Sequence, residues 1–272
     1  MAAAREIRER GVVITGAAGG LGTALAECYA ALGARLALLD IDAARGEALA
    51  QRLRAGGAQA WALACDLADE GACSAAIADA QRTLGGIDLL VNNAGISARL
   101  LLADATPAIA RRVMAVNYFG ALHATQAALP SLRARRGQIV VVSSVAGFAP
   151  LVGRTAYAAS KHALHGFFDS LRAELRASGV AVTIACPSFI ATGIEQAAPG
   201  AARRATGGDL AEPAAIAARI VDAARRGQRL CLPGRTPRLA WWLSRVAPAV
   251  YERMMLRRVG GEFGLGSGSK TR

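Results

Sequence analysis

The sequence has few of the residues that hold small disulfide-bonded or metal-stabilised proteins together. Its five cysteines are odd in number and scattered, and neither a Cys-x-x-Cys pair nor a histidine stands at metal-ligand spacing. The first ten residues lack the apolar core of a signal peptide, and no apolar run is long enough for a transmembrane helix. We therefore expect no metal, no disulfide framework and a reducing, cytoplasmic compartment.

Lysine is almost absent, and aromatic residues make up only 5% of the chain. Lys161 and Lys270 are the only lysines, so the net charge of +12 comes almost entirely from arginine. Nucleic-acid binding predicts a basic cluster interleaved with aromatic residues, whereas the arginines before residue 235 are spread over helix-like segments. We expect a solvated basic surface and no nucleic-acid partner. Because aromatics are few, the core must be built mainly from aliphatic side chains.

Short aliphatic runs alternate with longer alanine-rich segments of helical period, which is typical of repeated β-α-β units. The predicted strands are 11–15, 35–39, 60–65, 89–91, 138–143, 181–186 and 229–232. The predicted helices are 22–32, 43–55, 71–84, 107–132, 157–178 and 213–226. This order predicts an α/β fold: a Rossmann-type doubly wound parallel sheet of about seven strands with helices on both faces.

The composition changes along the chain and indicates three parts. We assign residues 1–234 to one Rossmann-type domain. Within it, residues 191–212 are rich in glycine, alanine and proline, which is typical of a mobile loop. Residues 235–263 form a C-terminal helical segment, expected to act as a lid or an interface, and residues 264–272 are expected to be a disordered tail.

A glycine-rich stretch, Thr15-Gly-Ala-Ala-Gly-Gly-Leu-Gly22, follows the first predicted strand and opens a helix. Glycines at Gly16, Gly20 and Gly22 would let the backbone turn sharply and approach a pyrophosphate at the positive end of the helix. The spacing differs from the commoner Gly-x-Gly-x-x-Gly. By itself it is weak evidence, since it is also compatible with a flexible turn between a strand and a helix.

Asp40 ends the second predicted strand, where a carboxylate can accept hydrogen bonds from the ribose of a dinucleotide. The same charge would repel the 2′-phosphate of NADP, so the sequence favours NAD. No arginine or lysine lies within the glycine-rich stretch, and Ile41 follows Asp40, so we expect no compensating positive charge there. Asp42 is expected to cap the next helix.

Tyr157 and Lys161 stand four residues apart at the start of a predicted helix, so they share one of its faces. A nearby ammonium would lower the pKa of the phenol from its usual value near ~10 into the range useful for acid–base catalysis. Such pairs also occur by chance on solvated helices. Here the lysine is one of only two in the chain, which favours a functional role.

Taken together, several motifs in order make the chain resemble the short-chain dehydrogenases/reductases, in their compact single-domain branch. The resemblance covers roughly residues 9–232. It is carried by TGAAGGLG (15–22), Asp40, Asp66, NNAG (92–95), Asn117, Ser144 and YAASK (157–161). The resemblance implies an NAD-dependent oxidoreductase that interconverts a secondary alcohol and a ketone.

The resemblance also implies the roles of individual residues. The catalytic set would be Ser144, Tyr157, Lys161 and Asn117. Tyr157 would exchange a proton with the substrate oxygen, Lys161 would lower the pKa of Tyr157 and bind the nicotinamide ribose, Ser144 would polarise the substrate, and Asn117 would hold a water. The cofactor-binding set would be Gly16, Gly20, Leu21, Gly22, Asp40, Asp66, Leu67, Asn93, Ala94, Gly95, Tyr157, Lys161, Pro187, Ile190 and Thr192. Asn92 is expected to be structural.

Two departures from the family pattern affect these expectations. Ser188 stands where the family usually has a glycine after Pro187, and a basic aromatic segment replaces the family's usual ending after Arg235. The second departure puts the family's common tetramer in doubt, and we expect a homo-oligomer, with a dimer favoured. The loops 97–104, 145–155 and 191–212 carry mixed apolar residues, which favour an apolar alcohol or ketone as the partner.

Other classes of function remain open. One alternative is a regulatory protein of the same fold that binds the cofactor and has lost turnover, although the intact Ser144, Tyr157 and Lys161 set argues against it. Another is a sugar-nucleotide epimerase, whose larger substrate domain is missing here.

Residues 235–258 combine apolar positions at helical spacing with arginines, and Pro248 is expected to divide them into two short helices. One hypothesis is that these helices pack over the substrate mouth or against a second subunit. The other is a peripheral membrane contact, with Trp241 and Trp242 at the level of the lipid headgroups.

Overall fold

The computed structural model describes residues 4–190 and 211–265 of the chain. Within them, one sheet contains β1 (Gly11–Thr15), β2 (Arg35–Asp40), β3 (Gln59–Ala64), β4 (Leu89–Asn92), β5 (Gln138–Val142), β6 (Ala181–Ala185) and β7 (Leu230–Cys231). The helices are α1 (Gly20–Ala31), α2 (Ala43–Ala55), α3 (Glu70–Leu84), α4 (Pro107–Met114), α5 (Gly120–Ala134), α6 (Thr155–Glu174), α7 (Pro213–Arg225), α8 (Arg235–Val246) and α9 (Pro248–Val259). Neighbouring strands are parallel, in the order β3-β2-β1-β4-β5-β6-β7. This confirms the predicted α/β doubly wound sheet.

The sheet is buried on both faces, which explains why its strands are continuous aliphatic runs. Alternate residues of β1 point to opposite sides: Val12 and Ile14 join one core cluster, and Val13 joins the other. Helices α1, α2 and α7 supply the first cluster, whereas α3, α5 and α6 supply the second. The result is three layers, helix–sheet–helix.

The direction of winding reverses between β1 and β4, which are neighbours at the centre of the sheet. The connections that leave these two strands therefore go to opposite halves of the sheet. A crevice opens at their carboxyl ends, which is where open α/β sheets bind ligands. Thr15 ends β1 and Asn92 ends β4, so both predicted motif loops start at this crevice.

The helix predicted at 107–132 is in fact divided. Helix α4 ends at Met114, a π-helical turn occupies Ala115–Phe119, and α5 continues from Gly120. A π-helical turn inserts one extra residue into the helical repeat and is frequently found at functional sites. Asn117 lies in this turn, so its side chain is displaced from the position that a regular helix would give it.

The C-terminal segment forms two helices that meet at Pro248, as predicted. Most of the loop predicted at 191–212, with the cofactor candidate Thr192, and nearly all of the tail at 264–272 lie outside the described residues. Over residues 4–190 and 211–265, no helix has both the length and the apolar character needed to cross a membrane.

Candidate active site

The crevice at the carboxyl ends of the central strands has a volume of about 1070 Å³. It is lined along one end by the glycine-rich loop and the residues after β2 and β3, and along the other by Tyr157, Lys161 and Ser144. The predicted cofactor residues that line it are Gly16, Gly20, Leu21, Gly22, Asp40, Asp66, Leu67, Asn93, Ala94, Gly95, Pro187 and Ile190. The structure therefore brings these cofactor candidates and three of the four predicted catalytic residues into one continuous space, whereas Asn117 does not line it.

The glycine-rich loop packs so closely that two of its glycines leave no room for a side chain. Gly16 has φ +61, and a Cβ there would lie 2.7 Å from the Cα of Ala94. A Cβ on Gly22 would lie 2.1 Å from the carbonyl oxygen of Gly16. Helix α1 begins at Gly20, and Gly20, Leu21 and Gly22 of its first turn line the crevice, where the first N–H groups of a helix have no partner within it. This geometry fits a bound pyrophosphate, because amide donors and the positive end of a helix converge on one bare backbone surface.

Asp40 and Arg45 lie together where the sequence predicts the ribose of the cofactor, and both line the crevice. Asp40 Oδ2 accepts a hydrogen bond from the amide of Ala18 at 2.8 Å, and Arg45 Nη2 donates to the carbonyl of Ala18 at 2.8 Å. The expectation that no positive charge would accompany Asp40 is wrong, because the first turn of α2 brings Arg45 to the loop. Asp42 caps α2 as predicted, accepting from the amide of Arg45 at 3.0 Å.

Asp66 and Leu67, the predicted adenine contacts, follow β3 and line the crevice. Asp66 Oδ1 accepts from the amide of Ala68 at 3.0 Å, and Asp66 Oδ2 lies 3.3 Å from Arg112 Nη2. Arg112 also lines the crevice and was missed from the sequence. It comes from α4, far from Asp66 in the chain, so no local pattern could indicate it.

The floor of the crevice is held by Asn93 and Thr15. Asn93 Nδ2 donates to the carbonyl oxygens of Thr15 and Gly16, each at 3.0 Å. Thr15 Oγ1 accepts from the amides of Asn93 and Ala94 at 3.0 and 3.1 Å. Asn92 instead bonds Thr125 across the core at 2.9 Å, so its role is structural, as expected. Thr15 was not singled out from the sequence.

Tyr157 and Lys161 occupy one face of α6, with Lys161 Nζ 5.6 Å from the centroid of the Tyr157 ring. Lys161 is 3% exposed and donates to the carbonyl of Val142, at the end of β5, at 2.9 Å. Burial lowers the pKa of Lys161 from 10.5 to about 8, because the charged ammonium loses its hydration. Ser144 follows β5, and its Oγ accepts from the amide of Ala146 at 3.2 Å.

Asn117 is linked to Tyr157 through one intervening hydroxyl. Its Nδ2 donates to Ser160 Oγ at 2.9 Å, and Ser160 Oγ donates to the carbonyl of Tyr157 at 2.8 Å. Asn117 also exchanges two hydrogen bonds with the backbone of Ile96, at 2.8 and 3.0 Å. The π-helical turn therefore ties the segment after β4 to the start of α6. Ser160 is a buried linking residue that sequence reasoning missed.

A polar cluster behind the catalytic residues also went unnoticed in the sequence. His165 Nε2 lies 3.0 Å from Ser143 Oγ and 3.5 Å from Cys186 Sγ, and Ser143 Oγ donates to the carbonyl of Lys161 at 3.4 Å. Burial lowers the pKa of His165 to about 4 and raises the pKa of Cys186. At neutral pH this cluster is uncharged and supports the backbone at Lys161 and at the end of β5.

Comparison with known proteins agrees with this geometry. A family model described as short chain dehydrogenase matches residues 10–201. The chain belongs to the short-chain dehydrogenase family. It is 38% identical over 266 residues to dehydrogenase/reductase SDR family member 7B of Bos taurus, covering 93% of this chain and 82% of that protein. It is 37% identical over 269 residues to dehydrogenase/reductase SDR family protein 7-like of Anopheles gambiae, covering 94% and 84%.

A solved structure extends the comparison to three dimensions. A short chain dehydrogenase/reductase from Burkholderia phymatum, in complex with NAD, matches with a TM-score of 0.78 and 26% identity. The match covers 98% of this chain and 99% of that one. It therefore includes the C-terminal helices, where the sequence departs from the family's usual ending.

The end of the crevice beyond Tyr157 is lined partly by the C-terminal helices of this short-chain dehydrogenase. Helix α8 lines the crevice with Thr236, Leu239, Ala240 and Leu243, and α9 lines it with Tyr251, Met254, Met255 and Arg258. This placement is compatible with the hypothesis that these helices pack over the substrate mouth, which stays a prediction. Trp241 does not lie on the exposed side that the membrane hypothesis gave it. It packs edge-on against Phe148, with ring centroids 4.9 Å apart, and Arg245 covers its other side.

One further polar contact lies at this end. Arg154 is 6% exposed, lines the crevice and donates to Ser97 Oγ at 2.7 Å.

In the described part of the chain, no three His, Cys, Asp or Glu side chains are arranged to hold a metal ion.

Proposed function

We propose that the protein is an NAD-dependent oxidoreductase that interconverts an apolar secondary alcohol and the corresponding ketone. The observation that carries the proposal is the single crevice that joins the glycine-rich loop and Asp40 to Ser144, Tyr157 and Lys161. The membership of the short-chain dehydrogenase family supports it. So does the similarity to a solved structure in complex with NAD.

The residues of the crevice fit a dinucleotide. The bare backbone at Gly16 and Gly22 would hold the pyrophosphate, Asp40 would accept hydrogen bonds from the ribose, and Asp66 and Leu67 would contact the adenine. Pro187, Ile190 and Thr192 would contact the carboxamide end. When bound, NAD supplies the hydride acceptor or donor, and the protein supplies orientation and proton transfer.

Proton transfer would be carried out by Tyr157, because its phenol shares the crevice with Ser144 and Lys161. In the direction of alcohol oxidation, Tyr157 takes the hydroxyl proton; in ketone reduction it returns the proton to the oxygen. The buried ammonium of Lys161 stabilises the phenolate form electrostatically, since the low-dielectric surroundings screen it weakly. Ser144 donates a hydrogen bond to the substrate oxygen, and Asn117 holds the geometry of the segment behind it.

The cofactor preference is proposed from Asp40. A carboxylate at the ribose accepts hydrogen bonds from both hydroxyls of NAD and repels the 2′-phosphate of NADP. Arg45 moderates this repulsion, but its guanidinium is engaged with the carbonyl of Ala18. We therefore propose NAD as the preferred cofactor. Because of Arg45, the preference for NAD over NADP should be smaller than Asp40 alone would produce.

The apolar character of the substrate is proposed from the lining of its end of the crevice. Val145, Leu151, Leu243, Met254 and Met255 surround the space beyond Tyr157. A homo-oligomer, with a dimer favoured, and a cytoplasmic location complete the proposal. The alternative, a regulatory protein that binds the cofactor without turnover, has no specific support in this site.

A panel of secondary alcohols and ketones, offered with NAD and with NADP, tests the proposal. Turnover is read from the absorbance of the reduced cofactor, and Tyr157→Phe serves as the control for activity that does not come from this site. Turnover of at least one apolar substrate by the wild type and not by the variant supports the enzyme. Tight NAD binding without turnover of any substrate would instead support the regulatory alternative.

A further inference from the structure

Helices α8 and α9 expose five large apolar side chains, Leu239, Trp242, Val246, Val250 and Met254. The three on α8 follow at intervals of three and four residues, so they lie on one helix face, and the two on α9 are four residues apart. Trp242 is 68% exposed and Val246 is 74% exposed. Single exposed apolar residues are ordinary, whereas a group of this kind marks a binding surface. We call it the α8–α9 surface.

The α8–α9 surface has a defined orientation. Its opposite face is packed on the body of the protein through Ala240 and Tyr251, which are buried. The turn after α9 is fastened by an ion pair between Arg99 and Glu262, whose side chains are 3% and 14% exposed. The ring of Phe263 lies against Gly153. The apolar side chains therefore face outward because the other side of both helices is already used.

Exposed arginines surround the apolar side chains. Arg238 and Arg245 flank them on α8, and Arg253, Arg257 and Arg258 flank them on α9. Residues 235–263 contain six arginines and two glutamates. This charge is complementary to an anionic partner. It opposes a symmetric pairing of two copies through this surface, since a twofold axis would bring the arginines of both copies together.

The α8–α9 surface is continuous with the mouth of the crevice. Leu239 is 59% exposed and Met254 is 49% exposed, and both also line the crevice. A molecule that passes between these two side chains moves directly from the α8–α9 surface to the apolar space beside Tyr157. The substrate end of the site therefore opens within the apolar patch and not beside it.

We propose that the α8–α9 surface binds an anionic lipid bilayer, and that the crevice takes an apolar ketone or alcohol dissolved in that bilayer. Trp242 lies at the headgroup level, the apolar side chains enter the acyl boundary, and the arginines contact lipid phosphates. The proposed binding to lipid does not depend on the oxidoreductase function. The choice of substrate rests on the oxidoreductase function proposed above.

Co-sedimentation of the full chain with vesicles tests the docking. The wild type binds phosphatidylglycerol vesicles at low salt and phosphatidylcholine vesicles weakly. Two double variants, Trp242→Ser with Val246→Ser and Arg253→Glu with Arg257→Glu, lower binding to phosphatidylglycerol by about tenfold or more. A matched control, Arg133→Glu with Arg176→Glu, makes the same change of charge at exposed arginines elsewhere and retains binding. Circular dichroism and NAD titration establish that each variant is folded.

Three results would overturn the docking. The first is a wild type that stays in the supernatant with phosphatidylglycerol, and the second is an equal loss of binding in the matched control. The third is a dimer in size-exclusion chromatography that the Trp242→Ser and Val246→Ser variant dissociates, because the surface would then be covered by a second copy.

A pair of alcohols tests where the substrate comes from. None of Trp242, Val246, Arg253 and Arg257 lines the crevice, so the double variants oxidise isopropanol in water at the wild-type rate. Their turnover of a long-chain secondary alcohol dissolved in phosphatidylglycerol vesicles falls in proportion to their loss of vesicle binding. Equal turnover of the vesicle-borne alcohol by wild type and variants would overturn delivery from the bilayer. A wild type that binds vesicles and oxidises neither alcohol leaves the docking in place and contradicts the oxidoreductase function.

Discussion

Asp40 and Arg45 contact one residue of the glycine-rich loop from two sides, the first at the amide of Ala18 and the second at its carbonyl, each at 2.8 Å. A carboxylate suited to ribose hydroxyls thus stands beside a guanidinium suited to a phosphate. In the proposed function, the balance between these two charges would set how strongly the crevice discriminates NAD from NADP.

We expect the wild type to bind NAD more tightly than NADP. Arg45→Gln should increase this difference in affinity, because it removes the positive charge that moderates the repulsion between Asp40 and the 2′-phosphate. Asp40→Ser should lower the ratio of NAD affinity to NADP affinity by about tenfold or more, corresponding to ~1.4 kcal/mol of binding free energy. Calorimetric titration of both cofactors against the three proteins measures these ratios. Equal binding of both cofactors by the wild type would show that Asp40 does not contact the ribose.

Tyr157→Phe should lower turnover by about two to four orders of magnitude, because the phenol is the proposed general acid and base. The ring remains, so the packing of α6 and the binding of NAD should change little. Turnover is measured by absorbance, and NAD binding by fluorescence titration of the same preparation. Turnover within a few-fold of the wild type would remove Tyr157 from the mechanism.

Gly22→Ala should lower the melting temperature and weaken NAD binding, since its Cβ would lie 2.1 Å from the carbonyl of Gly16. Gly166→Ala is a matched control within α6, where a Cβ meets nothing within 4 Å. That substitution should stabilise the protein by about 0.5–1 kcal/mol, because alanine loses less backbone entropy in a helix. Thermal unfolding with and without NAD compares the two. A Gly22→Ala variant with wild-type affinity would mean that the loop does not hold the pyrophosphate.

His165 should make folding stability depend on pH between about 4 and 6.5. Its pKa is lowered to about 4 by burial, so in this window the unfolded chain binds a proton that the folded chain does not. Stability is therefore lost as the pH falls from 6.5, by up to ~3 kcal/mol from this group. The unfolding free energy is measured by urea unfolding at several pH values. It should change less with pH for His165→Gln than for the wild type. Identical pH dependence in the wild type and in His165→Gln would contradict the assignment.

Much of the fold was readable from the sequence because its signals are local. The strands are continuous aliphatic runs, and the helices between them have a regular apolar period, so element type and order follow from near neighbours along the chain. The division at Ala115–Phe119 was not readable, because no proline or glycine within it marks the π-helical turn. The candidate site was found mainly through its motifs, Tyr157 and Lys161 above all. The roles of all the site residues, Tyr157 and Lys161 included, stay predictions.

By itself, the sequence determined the parts of this protein whose partners are a few residues apart: the bare backbone of the glycine-rich loop, the shared helix face of Tyr157 and Lys161, and the break at Pro248. Only the tertiary structure decided the contacts between distant segments. It brought Arg45 to the loop, linked Asn117 to Tyr157 through Ser160, and turned Trp241 inward while leaving Trp242 exposed. The physical reason is that backbone geometry and helical period act within a few residues. Which face of an element is buried depends on what packs against it, and that is settled only when the whole chain is folded.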